Sequence, residues 1–102
     1  MRLLITVQIP VDGGNRSIKD GSLPATMQGF IERFKPESAY FTLLDGKRTA
    51  YFVVDAKESS VMPQIAEAFF QNLNANITMT PAMNQAELKQ GLEATMGQLA
   101  QR

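Results

Sequence analysis

Apolar positions recur in two rhythms along this chain, a period of two in short runs and a period near 3.6 in longer ones. In Leu3–Ile9, residues Leu3, Ile5, Val7 and Ile9 share one side, and Leu4, Thr6 and Gln8 share the other, as in a strand. Pro10 removes a backbone donor and ends that run. Tyr40–Leu44 and Thr49–Val54 alternate in the same way around Asp45-Gly46. Gly accepts positive φ without a Cβ clash, and Asp bonds its own backbone, so this pair predicts a tight hairpin turn. A fourth run, Ile77–Thr80, sets Ile77 and Met79 on one face and Thr78 on the other, with Pro81 at its end.

Three segments carry the helical rhythm. Between Asn15 and Phe34, residues Leu23, Met27, Phe30, Ile31 and Phe34 line one face. Gly21 and Pro24 disturb the middle of this segment. Either Asn15–Asp20 is a short helix followed by a second one capped by Ser22, or a single helix kinks near Gly21; the break is the favoured reading. Val11–Asn15, with its Gly13-Gly14 pair, reads as a loop. Pro36 closes the segment. A second helix follows Ser59 or Ser60 as cap, with Pro63 in its first turn and Met62, Ile65, Ala66, Phe69 and Leu73 as its buried stripe. Asn84 and Glu87 have capping-box spacing and open a last helix to about Gln98, carrying Leu88, Leu92, Met96 and Leu99.

The order β-α-β-β-α-β-α predicts an α+β fold: a ferredoxin-like antiparallel sheet, helices on one face, and an extra C-terminal helix. At 102 residues the chain makes one domain, 1–102. The core expected under the helices is Leu3, Ile5, Val7, Phe41, Leu43, Phe52, Val54, Ile77 and Met79, meeting Phe30, Ile31, Phe34, Ile65 and Phe69.

Composition narrows the chemistry. Ten basic residues balance ten acidic ones, so no net field draws nucleic acid or an anionic membrane. The chain has no cysteine and no histidine. That excludes thiolate nucleophiles, Ser-His pairs and imidazole ligands, and predicts neither metal nor cofactor. The apolar N-terminal run is broken by Thr6 and Gln8, and no stretch has the length of a membrane span, which predicts a cytoplasmic protein.

Helices on one face leave Leu4, Thr6, Gln8, Tyr40, Thr42, Leu44, Tyr51, Val53 and Thr78 on the other. This set is too apolar for plain exposure and too polar for an ordinary core. Two such sheets can pack face to face as a symmetric homodimer. The plan resembles the dimeric α+β barrel superfamily. More narrowly, DGSLP (Asp20–Pro24), KPESAYF (Lys35–Phe41), DGKRTAYFVVD (Asp45–Asp55) and PQIAEAFF (Pro63–Phe70) resemble an uncharacterised family of small bacterial proteins of that type. The resemblance implies a dimer through the mixed face. The superfamily's haem-using members depend on an axial His, which this chain lacks.

Candidate ligand-binding residues follow from that face. Tyr40 and Tyr51 would project phenols between the sheets, where they orient a small apolar ligand, act as acids, or bridge the dimer. Thr6, Gln8, Thr42 and Thr78 would add polar contacts. Glu67, one position from the Ala66 edge of its helix's stripe, would be a partly desolvated carboxylate suited to proton transfer. Arg16, Lys19 and Asp20 cluster beside Gly21 as an anion site or a solvated helix face. Asp45, Lys47 and Arg48 read as turn residues. The leading expectation is a dimeric small-molecule-binding or interaction module. The alternative is a cofactor-free isomerase or monooxygenase acting on a small apolar or aromatic substrate.

Overall fold

The computed structural model describes residues 1–100. Its elements run β1 (Arg2–Ile9), α1 (Val11–Lys19), α2 (Ser22–Phe34), β2 (Ser38–Leu44), β3 (Lys47–Asp55), α3 (Val61–Leu73), β4 (Asn76–Pro81) and α4 (Gln85–Ala100). The strands form one sheet in the order β2-β3-β1-β4, antiparallel throughout. This α+β arrangement is compatible with a ferredoxin-like fold.

The hairpin turn forms as its residues dictate. Asp45 (φ 54°) and Gly46 (φ 73°) are both left-handed, as a two-residue turn between twisted strands requires. It pairs Leu44 with Lys47 and sets the register of β2 on β3. Leu3, Ile5, Val7 and Ile9 of β1 are buried, as are Ala50, Phe52 and Val54 of β3. Phe52 sits at the centre, its ring 4.5 Å from Phe30 and 6.3 Å from Phe69. Ile65, Phe69 and Leu73 of α3 close the core from above. Each of the larger side chains among them contributes about 1.5–3 kcal/mol by leaving water.

The Gly21 region is a break. Gly21 (φ 80°) separates α1 from α2, and Asp20 Oδ1 accepts from the Ser22 backbone amide at 2.8 Å. Asp20 therefore supplies the cap expected of Ser22. The Ser22 hydroxyl, and after it this backbone amide, hold the Asp20 carboxyl below its ordinary range. Pro24 lies in the first turn of α2, where a missing N–H leaves no bond unmade.

Val11–Asn15 is helical rather than a loop. Two interior glycines argue against a helix on propensity, but both are buried, Gly13 against backbone and Gly14 beneath the Arg48 side chain. A Cβ on Gly13 would stand 2.9 Å from the carbonyl oxygen of Leu73 at the end of α3. A Cβ on Gly14 would meet the Arg48 guanidinium, which crosses over it to reach Asn15 Oδ1 at 3.0 Å. Arg48 is thus a tie between β3 and α1, not only a turn residue. Ser60 stands at the cap of α3 but bonds Glu58 with its hydroxyl instead of a helix amide.

The expected core is too wide on one side. Phe41 (60% exposed) and Leu43 (72%) point toward the helical side of β2, yet α2 covers that edge strand only in part, with Leu23 and Met27 reaching a pocket beside Phe41 and Thr42. Ile31 and Met62 are exposed as well, and Ile77 and Met79 are only half-buried along the opposite edge. Alternation assigns a face, but an edge strand's face is buried only if a helix reaches it.

α4 departs furthest from a packed arrangement. None of its residues is buried. The longest dimension of the chain is 61 Å, against 28 and 18 Å for the other two. A strand-length body of about 30 Å plus 16 residues of helix at about 1.5 Å each accounts for most of that length. The radius of gyration is 17.0 Å, where a compact chain of this length has about 13 Å.

Candidate functional site

The uncovered face of the sheet is built from rows running across all four strands. The central row is Tyr40–Tyr51–Thr6–Thr78. Below it runs Ser38–Val53–Leu4–Thr80, and above it Thr42–Thr49–Gln8–Asn76. The register therefore brings Tyr40, Tyr51, Thr6, Thr42 and Gln8 onto one surface. Tyr40 is 70% exposed, while Tyr51, Thr6, Gln8 and Val53 are half-buried by their neighbours. Leu4 and Leu44 are exposed. Both phenols lie on the β2–β3 half of the central row, and both small threonines lie on the β1–β4 half.

Gln8 is partly committed within the fold. Its side-chain amide donates to the Leu44 carbonyl at 3.1 Å. Thr49, in the same row, is 3% exposed and donates to the Lys47 carbonyl at 3.1 Å. This row steadies the hairpin end of the sheet and leaves the central row as the open polar one.

Glu67 lies elsewhere. It is exposed on α3, on the opposite side of the sheet from the tyrosines, and accepts from Gln71 Nε2 at 3.1 Å. The desolvation that would suit it to proton transfer is missing, because its helix turns it to solvent. Arg16, Lys19 and Asp20 do gather with Asp12 and Asn15 on the outside of α1, but all five are exposed and Asp20 is engaged with Ser22. On the helical side, a cavity of about 260 Å³ lies between α2 and α3, lined by Phe30, Arg33, Gln64 and Ile65 among others. Arg33 donates to Gln64 across it at 2.6 Å.

One ionic group on the uncovered face was not anticipated from the sequence. Arg2 follows the face parity of Leu4 and Thr6 and bonds Glu37, just before β2, at 3.2 Å. It also pairs with Glu87 in the first turn of α4. The capping box itself forms as spaced: Asn84 Oδ1 accepts from the Glu87 amide at 2.8 Å, and Glu87 Oε1 accepts from the Asn84 amide at 2.9 Å. Only that box was readable from the sequence; the Arg2 link needed the fold to bring residues 85 positions apart together.

The Asn84 backbone amide, and after it the Arg2 guanidinium, hold the Glu87 carboxyl below the usual glutamate value of 4.5. A carboxylate depressed in the folded state stabilises fully above its unfolded value, and that contribution is lost as pH falls through the folded value. Acid below pH 4.5 is therefore expected to loosen the root of α4 before the sheet responds. Faster amide exchange at Glu87 and Leu88 than in β1 would register it, and the Glu87→Gln variant should lose the pH dependence. An equal acid response in that variant would contradict the assignment.

No protein-family profile and no curated protein sequence matches this chain. Among solved structures it is similar to the de novo designed protein Ferredog-Diesel, with a TM-score of 0.51 and 11% identity over 79% of this chain and 85% of the design. At that identity the likeness concerns the fold alone. Among the described residues no helix is long and apolar enough to cross a membrane.

Proposed function

We propose that the protein is a homodimer of face-to-face sheets that binds a small apolar ligand between them, a binding or interaction module of the dimeric α+β barrel kind. The observation that carries this reading is the central row, with two phenols and two threonines aligned across an uncovered sheet. A two-fold axis parallel to the strands would reverse the strand order in the second copy. Each tyrosine pair would then stand over the second copy's Thr6 and Thr78. Large side chains would meet small ones, phenols would find hydroxyl partners, and the space beside the threonines would take a small ligand.

A cofactor-free isomerase or monooxygenase on the same face would need an acid or base beside the ligand. Tyr40 and Tyr51 are available as acids, but no carboxylate joins the three rows. Glu37 and Glu87 are held by Arg2 at the end of the sheet, and Glu67 is on the helices. The geometry favours binding without turnover.

The composition supplies a direct test. The chain has two tyrosines and no tryptophan, and both tyrosines lie on this face. Tyrosine emission should change on dilution through the dissociation range and again on titration with a small aromatic probe such as naphthol. Emission that is indifferent to both concentration and probe would overturn the reading.

A further inference from the structure

We infer that α4 is an intersubunit arm, and that its apolar row is covered by a second copy of this chain. The inference rests on the proposed dimer and extends it to an element outside the sheet.

Leu88, Leu92, Met96 and Leu99 recur at four, four and three residues, which places them within about 100° of one another on a helix. They are 46%, 53%, 66% and 54% exposed. Thr95, in the same stripe, bonds back to the Gly91 carbonyl at 3.0 Å and so presents no unmet hydroxyl there. The charged residues Glu87, Lys89 and Glu93 flank the stripe rather than interrupt it.

The arm is fixed at its root. The reciprocal Asn84–Glu87 bonds and the Arg2 link tie its first turn to the uncovered side of the sheet. Its first turn therefore starts on the side where the second sheet would sit. Among the described residues of one copy, none of the row is buried.

The surface the whole chain leaves exposed is large enough to accommodate a stable association. The chain exposes 6962 Å², whereas a compact monomer of 11.3 kDa exposes about 5,700 Å². The excess is larger than the roughly 800 Å² per partner that a standard specific interface buries. An anionic lipid surface is the poorer occupant, because Gln85–Ala100 carries one lysine against two glutamates.

The test uses the full chain. Leu92→Asp should weaken the dimer about 100-fold or more in sedimentation equilibrium, since two-fold symmetry places two carboxylates in the contact. Glu93→Ala, outside the stripe, should leave the dissociation constant within about threefold. Because the chain has no cysteine, Met96→Cys provides a second readout. It should be protected from alkylation at concentrations where the protein is dimeric and become reactive on dilution. If the dimer forms and Leu92→Asp dissociates no more readily than the unsubstituted chain, the arm is overturned while the sheet pairing stands. If Met96→Cys is equally reactive in dimer and monomer, the arm is likewise overturned. A chain that is monomeric at every concentration would remove both the arm and the dimer it rests on.

Discussion

Tyr51→Asp is expected to leave the protein folded and to make it a monomer. Tyr51 occupies the middle of the central row, between Tyr40 on β2 and Thr6 on β1. In a single copy its side chain is only half-buried, so a carboxylate there keeps water. The local cost is then the weaker strand preference of Asp, about 1 kcal/mol at most. In the proposed dimer the same carboxylate would lie between two sheets without a cation, and symmetry would supply it twice. Unpaired buried charge costs several kcal/mol per group, enough to dissociate an ordinary dimer. Sedimentation velocity should report a monomer while far-ultraviolet circular dichroism stays that of the unsubstituted chain. An intact dimer would mean that this face is not the interface.

Phe69→Ala is expected to destabilise the fold by about 3–5 kcal/mol, the range for truncating a fully buried aromatic side chain. Phe69 is 0% exposed and packs at 5.3 Å from Phe30 and 6.3 Å from Phe52. Those three rings link α2, α3 and the sheet, so the cavity would open where the layers meet. Domains of this size have about 5–15 kcal/mol in all. Phe70, the next residue, is 41% exposed, and Phe70→Ala should cost less than about 1 kcal/mol. Urea unfolding of the two variants at one fixed protein concentration would separate them. Equal costs would contradict the orientation of α3.

Local signals were legible in the sequence at the hairpin turn and at the start of α4, while Ser22 and Ser60 do not cap their helices as their spacing suggests. Asp45-Gly46 specified the hairpin because only those backbone angles join the strands, and Asn84 with Glu87 specified the start of α4 because their bonds span three residues. Alternation placed Tyr40, Tyr51, Thr6, Gln8 and Thr42 on one face, since side-chain direction is a property of the strand itself. Whether a face is covered depends on distant elements. Phe41 and Leu43 alternate like core residues and are exposed because α2 covers β2 only in part. Gly13 and Gly14 look like a loop but lie in a helix that passes close to the Leu73 carbonyl and Arg48, a contact between distant parts of the chain. Glu67 sits one residue from a buried stripe, and one residue is a 100° turn, enough to put it in solvent. The Arg2 link to Glu37 and Glu87 joins three separate parts of the chain and has no signature at any fixed spacing.

The same rule explains the shape of the chain. Its two uncovered surfaces, the mixed sheet face and the α4 row, are left open among the described residues. Arg2 connects them physically, with its backbone in β1 and its guanidinium on Glu87. A single partner that faces the sheet would therefore also stand beside the arm.

Light scattering on the unsubstituted chain across a range of concentrations tests this most directly. The proposed assembly requires a particle of twice the 11.3 kDa chain mass at high concentration. A mass of 11.3 kDa at every concentration would contradict it.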